Sequence, residues 1–105
     1  MTAQGQPTPI SERVRLVIEL TWINSEHLRS KSRFAGVEIE LESALAASRP
    51  EARTSLQLLR IEMLRDQLWE ADRALSALEE ERARLEAALA NAEAATRTAH
   101  GRDPR

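Results

Sequence analysis

From Glu51 to Thr96 the chain runs for about 46 residues without a glycine or a proline. Alanine, leucine, glutamate and arginine dominate this stretch, and these residues lose little freedom in a helix. One unbroken helix of that length would span ~70 Å at about 1.5 Å per residue. Its apolar residues keep a three-four spacing through Ile61, Leu64, Leu68, Ala71, Leu75, Leu78, Arg82, Leu85, Leu89 and Ala92, with Arg82 the single polar member. A seam sustained over several heptads predicts a coiled coil rather than an ordinary globular helix. Ile61, Leu64, Leu68, Leu75, Leu78, Leu85 and Leu89 are therefore the expected oligomer interface.

The two halves of this helix differ. Before Leu75 the apolar surface is broad, because Leu56, Leu58, Leu59, Met63 and Trp69 lie beside or opposite the seam. A helix apolar beyond one stripe is expected to pack against more than one neighbour. After Leu78 the narrow seam alone remains, and Glu79, Glu80 and Glu81 cover the outside. Arg82 in the seam favours few strands at that level, since its stem can lie along an interface while its head reaches water.

Upstream, Ser48-Arg49-Pro50-Glu51 matches a capping box, which predicts that the long helix starts there. Residues 10–47 fit two templates. Val14, Leu16, Ile18, Leu20 and Trp22 alternate, as do Val37, Ile39 and Leu41 between glutamates, which would make a β-hairpin over 13–42. The same residues form helical stripes: Ile10, Val14, Val17, Thr21 and Leu28 on one side, and Leu16, Leu20, Ile23 and Phe34 on another. Helix is the reading adopted. A two-stranded ribbon is marginal alone, Asn24 to Gly36 lacks a tight-turn signal, and a long helix needs a partner of similar length. Gly36 then marks an expected break.

The expected fold is all-α, a helical hairpin with a long C-terminal coiled-coil helix in a dimeric bundle. The alternative is α+β, with a β-hairpin at 13–42 before a long helix. Residues 1–9 and 98–105 are expected to be unstructured, leaving 10–97 as one helical domain. Val14 to Ile23 holds seven apolar residues in ten, more than one hairpin can bury, and a symmetric dimer of hairpins would absorb the surplus.

Composition narrows the function. With 105 residues there is room for one small domain, and a net charge of -2 excludes a polybasic chain drawn to nucleic acid or membrane by its overall field. The absence of cysteine removes disulfides, zinc-thiolate sites and thiol nucleophiles, and suggests a reducing, cytoplasmic setting. The first residues do not resemble a secretory signal, and no stretch approaches the ~20 apolar residues of a membrane span.

Candidate chemistry is sparse. His27 and His100 lack the spaced ligands of a metal site, and Glu38, Glu40 and Glu42 read as a solvated face. Phosphate loops, dinucleotide fingerprints and nucleophile elbows are absent. The chain is thus expected to be non-catalytic, with no cofactor and no metal. Trp22 and Trp69 are expected chiefly in the core, with partner-binding hot spots as the functional reading. Arg29, Lys31 and Arg33 form the basic cluster that is the best candidate for binding chemistry. Residues 10–34 hold five cations against three carboxylates, whereas 35–51 hold one arginine against four. The functional expectation is an interaction or scaffolding module whose partners are a second copy and another protein. The alternative is a small dimeric nucleic-acid-binding regulator using Arg29, Lys31 and Arg33.

Overall fold

The computed structural model describes the backbone of residues 9–101 and the side chains of residues 11–98. It is an all-α helical hairpin: helix α1 covers Pro9–Ala46, a 3₁₀ turn covers Pro50–Ala52, and helix α2 covers Ser55–Gly101. No strand occurs among the described residues. The β-hairpin alternative at 13–42 therefore falls, since all of those residues lie in α1. Positions two apart on a helix are separated by about 200°, so the alternation of Val14 to Trp22 reports two opposite helix faces. α2 continues past Thr98 to Gly101, while residues 1–8 and 102–105 lie outside the described residues.

Two sequence expectations are corrected at the turn and at Gly36. Ser48 does not cap α2. Arg49 precedes proline, which disfavours the helical region, and it is extended at φ -68°, ψ 150°. The chain makes one 3₁₀ turn and starts α2 on a different capping box, Thr54-Ser55-Leu56-Gln57. The Gln57 amide donates to Thr54 Oγ1 at 3.1 Å, and the Thr54 amide donates to Gln57 Oε1 at 2.8 Å. Ser48 Oγ also donates to Gln57 Oε1, at 3.3 Å, and Arg53 Nη2 donates to the Leu45 carbonyl in the last turn of α1 at 3.2 Å. Side chains thus satisfy orphan backbone groups at both helix ends.

Gly36 does not interrupt α1, and its φ is not positive. One glycine costs a helix about 1 kcal/mol relative to alanine, too little to break a segment that is packed on both sides of it. A Cβ placed at Gly36 meets nothing within 4 Å. Gly36→Ala is therefore expected to add roughly 0.5–1 kcal/mol to stability. A thermal melt followed by circular dichroism, at a concentration low enough to keep the chain monomeric, reads this directly, and a lower midpoint there would contradict it.

The chain divides into two compact parts. In Glu26–Glu79, α1 turns His27, Ser30, Phe34, Val37 and Leu41 inward at three-four spacing, and α2 answers with Ile61, Leu64, Leu68, Ala71, Leu75 and Leu78. His27, Ser30, Ile61, Leu64 and Ala71 are buried and the others half-buried. His27 Nε2 lies 3.2 Å from Glu79 Oε2, and Arg60 Nη2 lies 3.9 Å from Glu40 Oε2, which fixes the antiparallel pairing of the helices in this part.

The other part contains the described residues before Glu26 and after Glu79. Here Leu16, Leu20 and Ile23 of α1 and Arg82, Leu85, Leu89 and Ala92 of α2 are buried or half-buried. Arg15 bridges Glu12 and Glu19 on the exposed side of α1. Its hydrogen bond holds the Glu12 carboxyl below the ordinary range and raises the Arg15 guanidinium in turn.

Candidate interaction faces

All seven seam leucines and isoleucines of α2 point inward within a single chain. Ile61, Leu64 and Leu85 are buried, and Leu68, Leu75, Leu78 and Leu89 are half-buried. Arg82 is half-buried among them with its Nε 3.8 Å from Glu86 Oε2, the snorkelling arrangement its long stem permits.

The exposed apolar residues gather elsewhere. In the part containing the chain's N-terminal helix turns, Val14, Ile18 and Trp22 follow one another at four-residue steps, with Val17 beside them. They face away from the inward row because Leu16, Leu20 and Ile23 occupy the opposite side of α1. Trp22 is 59% exposed, which corrects its expected core placement. It borders a groove with Ile18, Glu19, Ile23, Glu81 and Leu85. Both carboxylates at this groove are held by arginines of their own helices, Glu19 by Arg15 and Glu81 by Arg84.

In Glu26–Glu79 a second apolar face lies on the first turns of α2. Leu56, Leu59 and Met63 share one side of the helix and line a depression with Thr54, Gln57 and Arg60. The broad apolar surface read from the sequence is present, yet one chain leaves it uncovered. Trp69 is 60% exposed, also outside the core, and the Arg73 guanidinium stacks 4.7 Å from its ring centre. That cation-π contact covers one ring face and contributes about 0.5–1 kcal/mol at such a site.

The basic cluster does not form one patch. At about 100° per residue, Arg29 and Arg33 fall on one side of α1 and Lys31 on the opposite one, while Ser30 between them is buried. Arg29 is held by Glu26, with Nε 3.1 Å from Oε2, and Arg33 borders a depression with Val37, Gln67, Glu70, Ala71 and Ala74. Among the described residues no group of three or more acidic, histidine or cysteine side chains is placed to hold a metal ion. Among the same residues no helix is long and apolar enough to cross a membrane.

No family model, curated protein or solved structure matches this chain. The functional reading therefore rests on these faces alone.

Sequence reasoning marked Val14 to Ile23 as surplus apolar surface and expected the Leu56-Leu59-Met63 side to be packed, but it did not single out Leu28 or Ile39. A signal for part of this was available. On α1 the positions Leu28, Ser32, Ala35 and Ile39 repeat the three-four spacing and carry no charge, in a chain that is 30% charged.

Proposed function

We propose that this chain is a non-catalytic protein-protein interaction module, a helical hairpin that closes an antiparallel coiled coil on itself and homo-oligomerises through its outer faces. The single observation that carries this reading is the balance of apolar side chains. Among the described residues six apolar side chains are buried, whereas eleven large ones remain about half exposed or more. Contiguous apolar faces of this kind mark interaction sites on otherwise charged proteins. The three-four spacing of both inward rows supports the coiled-coil description. The lack of cysteine supports action in a reducing, cytoplasmic setting.

A nucleic-acid role draws less support. The Arg29, Lys31 and Arg33 side chains diverge, one of them is already paired, and the net charge is -2.

The reading is tested by sedimentation equilibrium over a range of concentrations, with circular dichroism on the same samples. The expected result is a helical chain whose mass is at least that of a dimer. A well-folded chain that stays monomeric up to ~1 mM, the top of the weak-binding range, overturns self-association.

A further inference from the structure

Within Glu26–Glu79, the side of α1 opposite the inward row carries Leu28, Ser32, Ala35, Gly36, Ile39 and Ser43, all exposed and all uncharged. Leu28 is 66% and Ile39 63% exposed, so this helix face has no partner within the chain. We propose that this face binds the same face of a second copy, antiparallel, about a two-fold axis at the Ala35-Gly36 junction. The inference rests on the self-associating module proposed above and assigns its interface.

Three features point to a second copy. The first is charge. Arg29, Lys31 and Arg33 precede the junction at the same distances at which Glu42, Glu40 and Glu38 follow it. A two-fold axis there lays the basic segment of each copy on the acidic segment of the other, twice over. The flanks agree as well. At about 100° per residue, Arg29, Arg33 and Glu40 border one edge of the uncharged face, and Lys31, Glu38 and Glu42 border the other. Antiparallel pairing keeps each edge beside its own mate. Glu40 of the second copy then falls between Arg29 and Arg33, and Lys31 falls between Glu38 and Glu42 of the second copy. A parallel pairing would instead put like charges side by side.

The second feature is size. The same axis sets Leu28 against Ser43 of the second copy, Ser32 against its Ile39, and Ala35 against its Gly36. Each large side chain meets a small one, as interdigitating helices require. The third is the absence of a Cβ at Gly36, with open space above it, where the two backbones come closest. The cis contacts are compatible: Arg29 keeps Glu26 on its outer side, and Glu40 has only the 3.9 Å approach of Arg60. No ion pair of Lys31, Arg33, Glu38 or Glu42 occurs among the described residues.

Charge exchange tests this arrangement. A triple variant Arg29→Glu, Lys31→Glu and Arg33→Glu makes both segments acidic, and Glu38→Lys, Glu40→Lys and Glu42→Lys makes both basic. Each alone is expected to dimerise at least about ten-fold more weakly than the parent, with helical circular dichroism retained. An equimolar mixture is expected to recover a heterodimer. Orientation is read from two single-cysteine variants of this cysteine-free chain. Gly36→Cys sits beside the axis and should form an intermolecular disulfide under mild oxidation. Ser43→Cys should not, because two such sites would lie ~22 Å apart along antiparallel helices, beyond the roughly 7 Å limit for a disulfide.

Triple variants that dimerise like the parent, or a mixture that fails to recover dimers, would overturn the interface while leaving an oligomeric parent chain, and with it the general reading, in place. Cross-linking at both Gly36→Cys and Ser43→Cys would make the pairing parallel and also overturn it. A monomeric parent chain removes both proposals together.

Discussion

Leu64→Asp is expected to unfold the chain, whereas Leu56→Asp, eight residues earlier, is expected to leave it folded. Leu64 is 4% exposed in the inward row of α2, and Leu56 is 76% exposed. Truncating a buried leucine alone costs about 2–5 kcal/mol. A carboxylate without a partner in that position adds several kcal/mol more, until it protonates. Small domains hold only ~5–15 kcal/mol in total, and a two-helix hairpin has little core to spare. Leu56 sits in the first turn of α2, where a carboxylate meets the positive end of the helix and is tolerated or mildly favourable. Circular dichroism at the helix minimum, with a thermal melt, separates the two variants. A folded Leu64→Asp chain with an unchanged midpoint would mean that the inward row is assigned to the wrong face.

That contrast also marks what the sequence made legible. The α2 seam could be read because nine of its ten positions are apolar and no glycine or proline interrupts it. The inward row of α1 follows the same spacing through Leu16, Leu20, Ile23, His27, Ser30, Phe34, Val37 and Leu41. His27 and Ser30 interrupt its apolar character at the centre, so pattern matching split it into fragments. The competing alternation had a physical origin too. Leu16 and Leu20 face inward while Val14, Ile18 and Trp22 face outward, and Val37 and Leu41 face inward while Ile39 does not. A helix apolar on two opposite faces mimics a strand over short windows, because two residues turn it by about 200°. The candidate site was less legible than the fold for a related reason. The three-four pattern identifies a helix face but not what covers it, and only the paired rows of α1 and α2 reveal that the seam closes inside one chain. Apolar residues assigned to a larger bundle, such as Leu59 and Met63, then become surface.

The turn supplies the second large effect, because two capping boxes compete within ten residues and only one forms. Thr54→Ala combined with Gln57→Ala is expected to cost about 1–2 kcal/mol, the upper part of the roughly 0.5–2 kcal/mol range measured for loss of a helix N-cap. Both partners of the reciprocal pair disappear, and the Thr54 and Gln57 amides lose their acceptors. Ser48 also loses the Gln57 oxygen to which its hydroxyl donates. The first backbone bond of α2, from the Leu58 amide to the Thr54 carbonyl at 3.0 Å, survives the substitution, so the helix start weakens without shifting. Glu51→Ala is the matching control. The sequence pattern pairs Glu51 with Ser48, yet Glu51 lies exposed in the 3₁₀ turn and Arg49 before it is held extended by Pro50. Its loss is expected to stay within ±0.5 kcal/mol, typical of an exposed side chain without a specific role. Chemical denaturation of the three chains, parent, Thr54→Ala/Gln57→Ala and Glu51→Ala, ranks them in one experiment. A larger loss for Glu51→Ala than for the double variant would return the start of α2 to Ser48 and move the antiparallel pairing with it.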